Sequence, residues 1–241
     1  MLEGPAAPVR LVPEPKTGGV RWLARLDPAA AAAYALSVFP FVPPIEHALP
    51  PSVAANRVTE LRTNPPAICL EGWRGARTRF RRLVRDLASS AGAALMADVR
   101  DCYGSIRHPV VAAALRDLGG CDEDVERVLT VLRWMTEHGV RGLPVGPEAS
   151  AVLANGVLLA VDRRLADAGW AHVRWVDDII VFMHEATEAR AALEVVRDTL
   201  GELGLALALE KTRVLLDPTV IRGGGQAMPS GPQPRVSSES G

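Results

Sequence analysis

Two adjacent carboxylates, Asp177 and Asp178, stand in the stretch RWVDDIIVF between two runs of strand-forming residues, and a third, Asp98, closes the apolar run AALMAD. Like charges about 4 Å apart repel by roughly 4 kcal/mol at an effective dielectric near 20, so acids pinned beside apolar strands call for a compensating cation. A solvated Asp-Asp turn would need none, and the pair alone does not choose between the two. Three such acids in one place suit two divalent ions about 3.5 to 4 Å apart, which activate an attacking hydroxyl and stabilise a leaving pyrophosphate.

The question is then whether the chain can bring Asp98 to the pair. Trp175, Val176, Ile179, Ile180, Val181 and Phe182 are β-formers, so a hairpin turning at the two acids is expected. AALMADV, 93–99, reads as a strand. Between them HPVVAAALRDLGG predicts a helix opened by Pro109 and closed by Gly119. DEDVERVLTVLRWMTEHG predicts a second, with Asp122 as N-cap, His138 in the last turn and Val125, Val128, Leu129, Leu132 and Met135 on one face. After the loop GLPVGP, EASAVLANGVLLAVDRRLADAG is apolar around most of its circumference and predicts a buried helix. An amphipathic helix over 187–203, ended by Gly204, and a strand over 206–216 complete the set. Strand, helices, hairpin, helix, strand is close to a split βαβ plan: an α+β fold whose antiparallel sheet carries helices on one face. In that plan the first strand lies beside the hairpin and Asp98 comes level with the Asp177 turn.

The N-terminal third, rich in Pro and Gly over 1–20 and 40–52, predicts irregular structure with short helices, one of them over 28–38. From Arg222 onward the chain is Gly, Pro, Ser and Gln and reads as a disordered tail. With 241 residues, 48% of them hydrophobic and 23% charged, the composition is that of an ordinary globular chain of one large or two small domains. No apolar run of about 20 residues and no secretory leader is read in it, so no membrane and a cytoplasmic location are expected. Cys69, Cys102 and Cys121 are odd in number and widely spaced, against a disulfide framework or a zinc site.

Net charge is −1, yet of 27 basic residues only Lys16 and Lys211 are lysines. Six arginines crowd into the 12 residues RGARTRFRRLVR, from Arg74 to Arg85, with Trp73 and Phe80 interleaved. That composition suits a phosphate-contacting surface or a solvated helix face. Asp101 and Asp162 are expected to be structural or solvated rather than metal ligands, Asn155 to bond within its own helix, and the five histidines show no metal-ligand spacing.

These stretches resemble the palm of a reverse transcriptase. ADVRDCYGSI, GLPVGPEAS, WVDD and GLALALEKT are similar to four motifs of that family and stand in its order. The resemblance implies a palm over 93–216, a fingers-like region over 1–92 and a tail over 217–241. It implies Asp98, Asp177, Asp178 and the main-chain carbonyl of Val99 as ligands of Mg2+, with Mn2+ as a substitute. Tyr103 would lie under the sugar of the incoming nucleotide, or else be a core tyrosine, and Gly146 and Ser150 would lie in the second motif against template and nucleotide, although Ser150 could equally cap or pack the buried helix. Lys211 would be the general acid for pyrophosphate departure. PEPKTGGVRWLARLDP is like the family's entry segment, and by analogy one or two of Arg79, Arg81, Arg82 and Arg85 would hold the triphosphate, a task suited to a bidentate cation. The activity implied is RNA-directed DNA synthesis on an RNA template, with a DNA or RNA primer and dNTPs. Val145 stands where many members carry Gln, which is most similar to the phage-defence and uncharacterised bacterial groups. Only 25 residues follow Leu216, so the expectation is that no helical thumb is present and that a partner protein or RNA supplies its grip. The alternatives are a non-catalytic palm-like RNA-binding subunit and an RNA-templated RNA polymerase.

Overall fold

Proline at positions 13 and 15 argues against a central strand but not against an edge one, where a missing N–H costs little. In the computed structural model, which describes residues 8–16, 19–216 and 220, strands β1 (Val9–Lys16) and β2 (Gly19–Leu26) form a two-stranded ribbon with all eight residues of each paired. Helix α1 (Pro28–Val38) follows, capped by Asp27, whose carboxylate accepts from the Ala30 amide at 2.7 Å. After α2 (Val42–Ala48) comes a second ribbon, β3 (Val58–Thr63) and β4 (Pro66–Leu70), and then α3 (Trp73–Ala88). The N-terminal third is therefore not irregular: prolines in an edge strand and in the first turns of helices mark boundaries rather than breaks. Pro28–Ala48 is 21 residues long with a hydropathy of 1.4, a longer apolar stretch than the sequence reading recognised. Its Tyr34, Val38, Phe41 and Ile45 are fully buried in the main core.

The remainder runs β5 (Ala93–Asp98), α4 (Cys102–Ser105), α5 (His108–Asp117), α6 (Asp122–Glu137), α7 (Glu148–Asp167), β6 (Ala171–Trp175), β7 (Asp178–Met183), α8 (Ala189–Glu202) and β8 (Arg213–Leu215). The four strands make one antiparallel sheet in the order β6-β7-β5-β8. This is the split βαβ arrangement expected. Helix α6 starts one residue earlier than read: Asp122 is its first helical residue and Cys121 its N-cap, with the thiol donating to Asp124 at 3.2 Å.

The expectation of helices on one face is corrected. Every residue from Ile179 to Met183 is buried, so the central hairpin strand must be covered on both sides. Leu95, Ala97, Ile179 and Val181 face the core built with α1, α2 and α5 to α8. Ala94, Val173, Ile180 and Phe182 face a second core supplied by α3. That helix is the arginine-rich segment. Ala76, Phe80, Val84 and Ala88, four apart, form its buried stripe, and Phe80 meets the ring of Trp175 edge-on at 5.3 Å. A fully buried Phe or Val contributes roughly 1.5 to 3 kcal/mol, enough to fix the helix whatever its cationic face does.

The last strand is also shorter than expected. Leu207 bridges Val99, and Arg213 is level with Met96, so this strand uses six residues where its partner uses three. The excess makes a turn around 209–211 instead of a continuous strand over 206–216. The tail read as disordered lies outside the described residues.

Candidate active site

β5 and β7 pair so that Asp98 stands directly opposite Asp178, and Trp175 opposite Asp178 closes a two-residue turn of Val176 and Asp177. Val176 has φ +57°, a conformation that costs a β-branched residue about 1 to 3 kcal/mol and persists where neighbours over-determine it. Two bonds do so: the Asp177 carbonyl accepts from the Val99 amide at 3.2 Å, and the Val176 carbonyl from Arg174 Nη1 at 2.9 Å.

The three acids share one end of the sheet. Burial, then the charge of Asp98, pushes Asp177 up to about 6. Burial, then the charges of Asp177 and Asp98, pushes Asp178 up as well. The cations that oppose this are Arg21 of β2 and Lys211. Lys211 comes from the turn that interrupts the last strand, and its Nζ donates to Asp98 Oδ2 at 2.9 Å although its side chain is 61% exposed.

One ammonium and a more distant guanidinium face three carboxylates, and the surplus is negative. Hard carboxylate oxygens with excess charge are the donor set of Mg2+ or Mn2+, so the chemistry of the site fits a divalent ion held by Asp98, Asp177 and Asp178. Among the described residues no group of three or more such side chains is gathered closely enough to hold a metal ion as it stands, and the Asp98 carboxylate accepts from Lys211 Nζ at 2.9 Å.

Around the acids the two other motifs close in. The Tyr103 carbonyl accepts from the Leu143 amide at 2.8 Å. A side chain at Gly142, φ +59°, would collide with the Tyr103 carbonyl. Tyr103 is partly buried beside the core, burial raises its hydroxyl far above the usual range, and Asn56 Nδ2 donates to that hydroxyl at 3.5 Å. Gly146, φ +124°, brings the second-motif loop against β2, where Val145 accepts from the Ala24 amide at 2.8 Å. The fingers-like ribbon is thereby stitched to the loop.

Other sequence-derived residues go elsewhere. Ser150 is fully buried, and its hydroxyl pairs with that of Tyr34 at 2.9 Å. A buried hydroxyl needs a partner, and α1 supplies it, so contact of Ser150 with a nucleotide is corrected to a core bond. Arg81, Arg82 and Arg85 lie on the exposed face of α3, and a guanidinium whose charge bears on Asp177 is that of Arg21. Arg79 turns inward to the Ala54 carbonyl at 2.9 Å and to Glu71, and Arg77 stacks on Trp73 at 4.5 Å.

Two further residues were missed. Arg21 offered only its place in the entry segment as a signal. Arg174 is a lone arginine in an apolar strand, and it is fully buried against Asp162, also fully buried, at 2.7 Å. Burial alone would raise Asp162, but the guanidinium and His172 bring it below the ordinary range. Asp162 is thus structural, as read.

Residues 54–234 match the family model of the reverse transcriptase (RNA-dependent DNA polymerase). No curated protein matches the chain. Among solved structures, apo telomerase from Candida tropicalis superposes with a TM-score of 0.55 at 12% identity over 86% of this chain and 44% of its own. Telomerase from Candida albicans, in complex with a fragment of telomeric RNA, gives 0.51 at 11% identity over 86% and 41%. At such identities the likeness is one of fold, and this chain spans less than half the length of either.

Proposed function

Because this chain belongs to the reverse transcriptase (RNA-dependent DNA polymerase) family, we propose that it is a divalent-metal-dependent polymerase that copies an RNA template into DNA. The observation that carries this reading is the surplus of negative charge at one sheet end: Asp98 and Asp178 at one register position, Asp177 in a strained turn beside them, and burial raising two of the three. A non-catalytic subunit has no use for three acids that disfavour one another, so the scaffold alternative is the weaker one.

In this reading Asp98, Asp177 and Asp178, with the Val99 carbonyl, would hold Mg2+ or Mn2+, which would supply a lowered pKa at the primer hydroxyl and charge neutralisation at the leaving pyrophosphate. Lys211, whose Nζ lies beside these acids at Asp98, would donate the proton to that pyrophosphate. Arg21, whose charge already reaches Asp177, draws the triphosphate in. Gly146 lets the second-motif loop lie close under template and nucleotide. The RNA fragment bound by the Candida albicans telomerase and the family match support an RNA partner here, and copying it into DNA would take a primer and dNTPs. A bacterial phage-defence or mobile-element setting, in the cytoplasm, rests on the second motif with Val145 and on composition.

Purified protein, Mg2+ or Mn2+, a primed RNA template and each nucleotide set test the reading: dNTPs should extend the primer and NTPs should not. Tyr103 sits five positions after Asp98, where its ring would collide with a 2′-hydroxyl. Tyr103→Val should therefore raise the ratio of ribonucleotide to deoxyribonucleotide use. Equal use of both sets by the unmutated chain would move the RNA-templated RNA polymerase ahead.

A further inference from the structure

We propose that Arg174, Asn155 and Asn56 form a buried positioning relay tying the acidic turn to the Tyr103 ring, so that metal affinity at the turn and sugar choice at the ring depend on one set of hydrogen bonds. The sugar half rests on the polymerase reading; the metal half does not.

The relay begins at a group whose presence needs explaining. A fully buried arginine–aspartate pair adds little stability over apolar residues of the same volume, so Arg174 and Asp162 are not accounted for by folding alone. The guanidinium donates from Nε and Nη2 to both oxygens of Asp162, at 2.7 to 3.1 Å. That fork fixes its plane, and His172 Nε2, 3.1 Å from Asp162 and 3.3 Å from the Ser52 hydroxyl, holds the carboxylate from the other side. Nη1 is left to aim two protons. One goes to the carbonyl of Val176, the left-handed residue of the acidic turn, and one to Asn155 Oδ1, each at 2.9 Å.

Asn155 has no freedom in this setting. Arginine only donates, so the amide oxygen must face it and the amide nitrogen must point away. That nitrogen donates to the carbonyls of Asn56 at 3.2 Å and Ala55 at 3.4 Å. Asn56 has φ +58° and presents its own amide nitrogen to the Tyr103 hydroxyl. The segment 52–54, ahead of β3, is locked in place as well, because the Arg174 amide donates to the Ser52 carbonyl and the Ala54 amide to the Arg174 carbonyl, at 3.0 and 2.9 Å. Turn, arginine, two asparagines and ring are therefore consecutive links, with α7 and β6 as the frame.

Three variants of the full chain test the relay: Arg174→Met combined with Asp162→Leu, Asn155→Leu, and Asn56→Ala. The first removes both buried charges together, so no ion is left unpaired. Mn2+ affinity is read by electron paramagnetic resonance without nucleotide, folding by thermal melting, and sugar choice by the ratio of ribonucleotide to deoxyribonucleotide incorporation. The double variant should melt no lower than the parent, bind Mn2+ about tenfold more weakly and lose kcat by a similar factor, with KM for dNTP within about threefold. Asn56→Ala should raise the incorporation ratio by about threefold with Mn2+ affinity unchanged, and Asn155→Leu, which cuts the relay in its middle, should shift both. A folded double variant with parental Mn2+ affinity overturns the metal half; if that variant does not fold, Asn155→Leu decides, and parental values in both readouts overturn the whole. A parent that binds Mn2+ but incorporates nothing removes the polymerase reading and the sugar half together, leaving the metal half to the resonance titration. A parent that does not bind Mn2+ overturns both.

Discussion

Asp162 and the pair Asp177–Asp178 are acids placed around one hairpin, and their neighbours treat them in opposite ways. Asp162 is the more deeply buried, yet a bidentate guanidinium and an imidazole hold it below the ordinary carboxylate range. Asp177 and Asp178 lie at an end of the sheet where Lys211 offsets both and Arg21 offsets Asp177, yet both are pushed up. Burial depth is therefore not what separates support from chemistry. The separation lies in whether the charge is balanced inside the chain or left for something outside it.

The comparison breaks first at the acids. Asp177→Asn and Asp178→Asn should each abolish primer extension in Mg2+ while raising the melting temperature of the metal-free protein, since each removes a repelled charge. Extension at the parental rate, with the melting point lowered, would put the turn in the same class as Asp162. Next in size is the balanced cluster. Arg174→Met alone leaves Asp162 buried and unpaired and should cost about 3 to 5 kcal/mol in denaturant unfolding, whereas the paired replacement should unfold no more easily than the parent.

Acidity sharpens the contrast because the two clusters carry opposite signs. The folded state holds the Asp177 proton more tightly than the unfolded chain, so its contribution to stability is full below the ordinary carboxylate value of 3.8 and is lost as pH rises through about 6. That loss should amount to about 2 kcal/mol, seen as a falling melting temperature between about pH 4.5 and 7 in EDTA and removed by saturating Mg2+. Asp162, lowered in the folded state, contributes above its unfolded value and loses that contribution only as pH falls further. A melting temperature that rose with pH across the same window in EDTA would sink the assignment of the acids as unbalanced. The smallest effect belongs to charges that are not buried at all. Replacing exposed Arg81 and Arg82 with Ala should reduce the slope of log affinity against log salt for primer–template by about 1 to 2, with no change in melting. An unchanged slope would leave α3 as a solvated face.

What the sequence disclosed follows the same division. The split βαβ order, the buried helix α7 and the level placement of Asp98 with the hairpin were legible because apolar periodicity and turn chemistry act over short stretches. The ribbon β1–β2 was not, because its prolines signal breaks locally while only the pairing across 9–26 makes an edge strand of them. Between packing and a nucleotide contact the sequence did not decide for Ser150, for a similar reason: the partner that settles its packing, Tyr34, is 116 residues away. Asn155 was expected to bond within α7, and its bonds run instead to Ala55, Asn56 and Arg174. Arg174 looked like one more cation in an arginine-rich chain, since nothing local says that a charge in a strand will be fully buried. Lys211 was recognised as a rare lysine, but the three surplus residues that lift it out of the strand and over Asp98 are visible only in the register.

The sheet covered on both faces has a consequence for how such a chain can diverge. Along α3 the buried stripe Ala76, Phe80, Val84 and Ala88 supports the floor of the hairpin, while Arg74, Arg81, Arg82 and Arg85 face outward. Drift among descendants of this chain should therefore be written with a period of four in that helix. The stripe should change only by swaps of similar volume, and the cations should come and go with whatever polyanion the lineage has met.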